Sequence, residues 1–283
     1  MSDIGFTTAA TIRPPQPEPK SIPLPADGDP SAGLIGSFFE WFGELGIFSW
    51  NVLKAAVTLP FEGRELIRQL DDVGSKSLPL VALAGGAVGA VMSMEVRFSM
   101  ARFGATSLLP SAIVYSVIQE MGPIITGLVV SGRVGAGIGA ELASMKVTEQ
   151  IDAMETSAVN PYKLLAATRI VACILMLPLL TVAADACGIV TGWITQTLSQ
   201  PISFHQFVNA GFSGSALRYF LPPTFKTAVF GLIIGLIACF QGMRTRGGAA
   251  GVGRSATNSV VISSLFVILA DVVLVKLILV LFP

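Results

Sequence analysis

Five long apolar stretches dominate this sequence, and each is long enough to cross a lipid bilayer. They lie at about residues 78–94, 107–132, 170–195, 223–241 and 260–282. A transmembrane α-helix needs about 20 mostly apolar residues. Charged residues make up only 13% of the chain, about half the share found in soluble globular domains. The sequence therefore predicts an all-α membrane protein with five transmembrane helices, and it excludes a soluble enzyme.

The first 72 residues differ from the rest of the chain. Residues 1–33 contain seven prolines and scattered charges, so we expect a disordered Pro-rich tail in the cytoplasm. Over residues 34–72, aromatic and charged side chains recur at helical spacing, which predicts an amphipathic helix lying in the membrane interface. The alternative is a first spanning helix at about residues 45–60. Lys54 and the shortness of that apolar run favour the interfacial helix.

Lysine and arginine are distributed unequally between the two sides of the membrane. Residues 1–76 and the loops after the second and fourth spans share one side and carry thirteen of them. The opposite loops carry four, counting Lys226 near a helix end. Because basic loops stay in the cytoplasm, we expect a cytoplasmic N-terminus and a periplasmic C-terminus.

Several kinds of chemistry have no signature in this sequence. No G-x-x-x-x-G-K-[ST] loop for nucleotide phosphates occurs, so ATP hydrolysis must come from a partner chain. His205 is the only histidine and the three cysteines lie in apolar runs, so we expect neither a metal site nor catalysis. The net charge of zero gives no sign of nucleic-acid binding.

Pairs of glycines four residues apart recur within the apolar stretches. Examples are Gly85 with Gly89, Gly135 with Gly139, and Gly231 with Gly235. Residues without bulk let helix backbones approach closely in a membrane. These pairs therefore predict contacts between the spanning helices.

The segment between the second and third spans is the most informative part of the sequence. Residues 141–156 contain neither Gly nor Pro and predict one short helix, which Asn160-Pro161 follows. Val147, Ile151 and Met154 fall on one stripe of that helix, and acidic residues fall on another. Such a helix can lie on the membrane or dock on a soluble partner. The alternative is a solvated helix in a loop.

This region resembles the signature of the MlaE/YrbE permease family, the membrane subunits of MCE-type lipid ABC transporters. The matching residues are Glu120–Pro123 (EMGP), Ser131–Gly135 (SGRVG), Ala140–Glu155 (AELASMKVTEQIDAME), Val159–Pro161 (VNP) and Phe240–Gly242 (FQG). The resemblance covers about residues 35–283. Two positions depart from the family pattern: Gln119 stands where many members have Arg, and Met121 where they have Leu.

The resemblance implies a set of partners. It implies a homodimer in the bacterial inner membrane, two cytoplasmic ATPase subunits that bind ATP and Mg, an MCE-domain protein, and in some systems a small STAS-type subunit. The implied cargo is phospholipid or another lipid. Residues 141–156 then correspond to the cytoplasmic coupling helix. The candidates for contacting the ATPase, or for bracing that contact, are Arg133, Glu141, Lys146, Thr148, Glu149 and Asp152.

Three carboxylates lie inside the predicted spans, where an unpaired charge is expensive. Glu120 precedes Pro123, whose missing N–H can break the helix. We expect Gln119, Glu120 and Pro123 to line the lipid path. The alternative is a neutral Glu120 bonded to a freed backbone carbonyl. For Asp185 and Asp271 we expect structural pairing with Ser, Thr or Lys276.

A second function is compatible with these acids. A proton- or ion-coupled secondary transporter could use the three acids Glu120, Asp185 and Asp271 as carriers. Such transporters usually contain two related halves. This sequence has no convincing internal repeat, and five spans divide poorly into two. The sequence therefore favours the ABC permease.

Overall fold

The computed structural model describes residues 34–57, 63–212 and 216–281. The chain divides into two compact units, Met1–Glu44 and Leu45–Pro283. The tail predicted over residues 1–33 lies outside the described residues.

The described part of the chain consists of helices. The α-helices are α1 (Leu34–Val57), α2 (Gly63–Val73), α3 (Leu78–Arg102), α4 (Leu109–Ser116), α5 (Gly122–Val130), α6 (Ala136–Val147), α7 (Gln150–Thr156), α8 (Thr168–Thr197), α9 (Phe204–Gly211), α10 (Ala216–Met243) and α11 (Gly248–Leu281). A 3₁₀ turn over Thr106–Leu108 precedes α4. Three segments have the wider π-helical winding: Val117–Met121, Ser131–Gly135 and Tyr162–Ala167.

Five helical runs in the described residues are long and apolar enough to cross a membrane. They are Gly63–Arg102, Thr106–Val147, Tyr162–Thr197, Phe220–Met243 and Gly248–Leu281. The predicted all-α fold with five spans is therefore confirmed. The spans alternate in direction, so α2, α7 and the turn between α10 and α11 share one end of the bundle, which we call the α7 end.

Glycines at the predicted spacing bring the spans together. A Cβ added to Gly85 or Gly89 of α3 would collide with the backbone of Ala184 or Gly188 in α8. The hydroxyl of Thr191 in α8 donates to the Gly86 carbonyl at 2.6 Å. Gly231 in α10 lies equally close to the backbone of α8, and Gly139 in α6 lies against serines of α11. The predicted contacts are confirmed, and they hold α3 and α10 against α8.

The predicted interfacial helix over residues 34–72 is described as two helices, α1 and α2. Within the second unit, α1 buries Phe48, whose ring lies 5.6 Å from the ring of Phe240. On another side, Trp50 and Leu53 are exposed, and the Lys54 ammonium lies over the Trp50 ring. An N-terminal helix with an exposed apolar face is therefore present, as the sequence predicts.

The prediction of one helix over residues 141–156 is wrong. α6 ends at Val147 and α7 begins at Gln150. Between them, Glu149 adopts a left-handed backbone with φ of 60°. Its N–H bonds to the Lys146 carbonyl, and Thr148 closes the last turn onto Ser144. A left-handed residue after the last turn is a common helix end, but glycine usually marks it and none is present here.

Candidate functional site

The second span has an irregular winding where Glu120 lies. Residues Val117–Met121 form a π-helical segment, and α5 follows with Pro123 in its first turn. In an α-helix the N–H of residue 123 would bond to the carbonyl of Gln119, but proline has no N–H. That carbonyl instead accepts a hydrogen bond from Nζ of Lys226 in α10, at 2.9 Å. The freed carbonyl is thus bonded to a cation from another span.

Lys226 also joins two carboxylates from two further helices. Its Nζ lies 3.1 Å from Oε2 of Glu120 and 2.9 Å from Oδ1 of Asp271 in α11. We call Glu120, Lys226 and Asp271 the ionic cluster. Nζ donates hydrogen bonds to the Gln119 carbonyl and to Glu120, whereas its contact with Asp271 is an ion pair without a hydrogen bond. The cluster therefore ties together the second, fourth and fifth spans.

The members of the ionic cluster differ in exposure. The side chain of Lys226 is 1% exposed and that of Asp271 is 8% exposed, whereas Glu120 is 34% exposed. Two carboxylates and one ammonium give the cluster a formal charge of −1. Because Glu120 alone reaches the surface of the chain, the excess negative charge is available there to a polar group that approaches the spans.

Three sequence-based expectations about charged residues in the spans are wrong: the partner of Asp271, the position of Lys226 and the pairing of Asp185. Asp271 pairs with Lys226 and not with Lys276, and Lys226 is buried inside α10 and does not belong to an outer loop. Asp185 lies in α8 with 1% exposure, and neither of its oxygens has a hydrogen-bond partner within the described residues. The sequence held one signal for Lys226: a cation inside an apolar run should pair with an acid in another span.

The second π-helical segment of the second span holds Arg133. Its Nη1 donates to the Asp72 carbonyl at 3.1 Å and to the Ser77 hydroxyl at 2.6 Å. Asp72 belongs to α2 and Ser77 directly precedes α3. Arg133 therefore fastens the corner between α2 and α3 to the second span.

Glu141 pairs with an arginine that the sequence reading did not single out. Its Oε1 lies 2.8 Å from Nη2 of Arg169 in α8. Arg169 is 2% exposed and Glu141 is 51% exposed, and Nη1 of Arg169 also donates to the Leu165 carbonyl. This pair connects α6 to the beginning of the third span.

The remaining predicted residues lie at the break between α6 and α7. Nζ of Lys146 bonds to Oδ1 of Asp152 at 2.6 Å, which bridges the break. The Thr148 hydroxyl donates back to the Ser144 carbonyl. Glu149 and Asp152 are exposed, and Ile151 is the buried residue of α7. We call the bend over residues 146–152 the elbow. Lys146 and Thr148 hold this bend together, and Glu149 and Asp152 lie on its exposed surface.

Comparison with known proteins identifies the family. The family model described as Permease MlaE matches residues 66–277. This chain belongs to the MlaE permease family. It is 33% identical over 250 residues to a probable ABC transporter permease protein of Rickettsia typhi, covering 87% of this chain and 96% of the relative. It is 34% identical over 208 residues to a probable ABC transporter permease protein of Synechocystis, covering 74% and 79% of the two chains.

A plant relative matches as well. The chloroplast protein TRIGALACTOSYLDIACYLGLYCEROL 1 of Arabidopsis thaliana is 31% identical over 239 residues, which cover 84% of this chain and 68% of the relative. The resemblance noted in the sequence is therefore confirmed. This MlaE-family chain is a multi-pass membrane protein and a permease of the ABC transporter class, not itself an enzyme. A permease of this class implies a separate ATPase subunit.

Proposed function

We propose that this chain is the permease subunit of a transporter that moves phospholipid or another lipid between the bacterial inner membrane and an MCE-domain partner. A separate ATPase, which binds ATP and Mg, supplies the energy. Membership of the MlaE family supports this proposal, as does a relative whose name is that of a glycerolipid.

One observation carries the proposal: a continuous helical run connects the ionic cluster to the α7 end. The run extends from Val117 to Val147 and contains Glu120 and Arg133 in its two π-helical segments. α7 follows at its end and buries one residue, Ile151. A push on α7 would therefore act along the second span toward Glu120. π-helical segments often lie at functional sites in helices.

The proposed ATPase contact divides the predicted residues into two groups. Glu149 and Asp152 are exposed beyond the end of α6 and would meet the ATPase. Lys146 and Thr148 keep the elbow in shape, while the pair of Glu141 with Arg169 links it to the third span. Arg133 links the same run to α2 and α3.

The proposed lipid path lies between two copies of the chain. Gln119 and Glu120 would line it, because both are partly exposed. Pro123, also predicted to line the path, is buried within the chain, and its proposed part is to free the Gln119 carbonyl. The unequal distribution of Lys and Arg supports a cytoplasmic α7 end. The MCE-domain protein would then bind at the opposite end and the ATPase, with any STAS-type subunit, at the α7 end.

Transport in proteoliposomes tests this function against a proton- or ion-coupled transporter. The chain, purified with its ATPase and MCE-domain partners, is reconstituted and the transfer of a fluorescent phospholipid is measured. We expect transfer with ATP and Mg and none with a pH gradient alone. Transfer that follows the pH gradient without nucleotide would overturn the proposal.

A charge reversal tests the ATPase contact. Glu149→Lys with Asp152→Lys reverses two exposed charges on the elbow, and we expect less ATPase to remain bound to the tagged chain purified from its own membranes. The matched control is Glu95→Lys. Glu95 is an exposed acid in the half of α3 that lies away from the α7 end. Equal recovery of the ATPase with both variants would contradict the contact.

A further inference from the structure

Asp185 is a buried acid that the ionic cluster does not use. It lies in the middle of α8, is 1% exposed, and neither Oδ1 nor Oδ2 has a hydrogen-bond partner within the described residues. The ammonium of Lys226 pairs with Glu120 and Asp271 and not with Asp185. It donates hydrogen bonds to the Gln119 carbonyl and to Oε2 of Glu120 and lies 2.9 Å from Oδ1 of Asp271.

The carboxyl of Asp185 lies directly against the second span. Its Oδ1 occupies the place that a Cβ of Gly122 would take, so Gly122 leaves the space that the carboxyl fills. A Cβ on Gly122 would lie 3.2 Å from the Val117 carbonyl oxygen, which accepts the Gly122 N–H with one of its two lone pairs. One turn later, Thr126 is fully buried and its hydroxyl also has no partner among the described residues. The carboxyl is thus beside a backbone acceptor and a helix that carries a second unpaired polar group.

The titratable groups around this carboxyl lie on α8 and on the elements packed against it. They include Lys226 in α10, Glu120 in the first π-helical segment, Tyr115 in α4 and Cys187 in α8 itself. α5 contains no titratable residue. Farther along these elements lie Glu95, Arg97 and Arg102 of α3, Cys239 of α10, Arg169 and Cys173 of α8, Tyr162 and Lys163 before α8, and Arg64, Glu65, Arg68, Asp71 and Asp72 of α2.

An ionised Asp185 is difficult to reconcile with these surroundings. Three carboxylates and one ammonium would give a formal charge of −2 among buried helices, and an unpaired carboxylate in an apolar medium is strongly disfavoured. The described residues contain no group of three His, Cys, Asp or Glu side chains that could hold a metal ion. A proton is the smallest cation that can neutralise the carboxylate.

We propose that Asp185 is a proton-binding site whose occupied form holds the second span against the third. The carboxylate takes up one proton and becomes a neutral acid, which can donate to the Val117 carbonyl. Loss of the proton leaves a bare charge against Gly122, and we expect the π-helical segment next to Glu120 to move away from α8. The inference does not depend on the cargo or on the partners proposed above.

Infrared spectroscopy of the full chain in detergent tests this inference. We expect a carbonyl band of a neutral carboxylic acid at neutral pH in the wild type, and its loss in Asp185→Asn. Asp71→Asn is the matched control, because Asp71 is an exposed acid of α2. The control should retain the band. Equal band intensity in the wild type and Asp185→Asn would overturn the inference.

A second measurement applies if Asp185→Asn does not fold. In the chain with Glu120→Gln, Lys226→Met and Asp271→Asn, Asp185 is the remaining charged or acidic group of this region and has no cation to pair with, so the neutral-acid band should persist. Its absence would overturn the proton site. In the wild type, we also expect hydrogen exchange of residues 117–122, after correction for the base-catalysed intrinsic rate, to accelerate as the pH rises and the band disappears. Corrected exchange that stays constant while the band is lost would refute the link to packing.

Discussion

Lys226 donates a hydrogen bond to the backbone carbonyl of Gln119, four residues before Pro123 in the second span. The proline leaves this carbonyl without its helical partner, and the ammonium takes that place while it also pairs with Glu120 and Asp271. One side chain thus bonds to the carbonyl that the proline frees and pairs with acids from two separate helices. The packing of three spans therefore depends on the charge of a single lysine.

Removal of that charge should destabilise the bundle severely. In Lys226→Met the side chain keeps most of its volume, but Asp271 becomes a buried, unpaired carboxylate. Loss of one partner from a buried ion pair costs about 3–5 kcal/mol. We expect the thermal unfolding temperature in detergent to fall sharply, whereas Lys54→Met, at an exposed site, should leave it nearly unchanged.

A double variant separates charge from packing. Lys226→Met with Asp271→Asn removes the buried acid together with its partner. We therefore expect it to be more stable than Lys226→Met alone, since the two residues are directly coupled. Equal stability of the single and double variants would show that the loss arises from packing and not from the bare carboxylate.

Gly89 and Gly137 should respond in opposite ways to the same substitution. A Cβ on Gly89 would meet the backbone of Gly188, which cannot rotate away, whereas nothing lies within 4 Å of a Cβ on Gly137. We expect Gly89→Ala to destabilise the bundle by about 1–3 kcal/mol through overpacking. Gly137→Ala should stabilise α6 by about 0.5–1 kcal/mol. Unfolding in increasing denaturant measures both, and similar values for the two variants would contradict the close contact of α3 with α8.

The spans and their contacts could be predicted from the sequence because the bilayer constrains them strongly. Apolar length defines a span, and glycines at a spacing of four residues mark where backbones meet. Gly85 and Gly89 illustrate this: the pattern predicts a close helix contact there, and the structure shows that the partner is α8. The family motif was equally accessible, since the run from Ala140 to Glu155 is long and specific.

The contacts of the charged residues could not be predicted in the same way. Lys226 lies 106 residues after Glu120, and no local pattern indicates which acids a cation will meet. The pairing depends on how five helices pack together. The break at Glu149 was missed for another reason: the left-handed residue there is not glycine. Arg169 follows a charged loop in the sequence, which indicates an exposed cation, whereas the structure buries it.

Arg133 should control the stability of the α2–α3 corner. Arg133→Ala removes two hydrogen bonds from a charged donor, to Asp72 and Ser77, and such bonds contribute about 1.5–3 kcal/mol each. We expect faster hydrogen exchange over Gly63–Val73, which would then be held mainly by its packing against α8. Ser77→Ala removes one of the two acceptors and should give a smaller increase. Arg102→Ala, at the other end of α3, serves as the control and should leave exchange in α2 unaltered.

The pair of Glu141 with Arg169 should respond unequally to the loss of either partner. Glu141→Ala leaves a guanidinium that is 2% exposed without its counter-ion, so we expect a loss of about 1–3 kcal/mol. Arg169→Met leaves the half-exposed Glu141 carboxylate to be solvated by water and fills the buried space with an apolar chain. This variant should lose no more than about 1 kcal/mol, because a buried ion pair contributes little beyond an apolar replacement of similar size.

The more exposed ion pair of Lys146 with Asp152, in the elbow, provides the comparison for this asymmetry. Asp152→Ala removes the partner of Lys146 at a more exposed site, and exposed ion pairs contribute about 0–1 kcal/mol. Denaturant unfolding of the three single variants should therefore rank Glu141→Ala as the most destabilised. If Arg169→Met is instead the least stable, the hydrogen bond from Arg169 to the Leu165 carbonyl, and not the ion pair, holds the start of the third span.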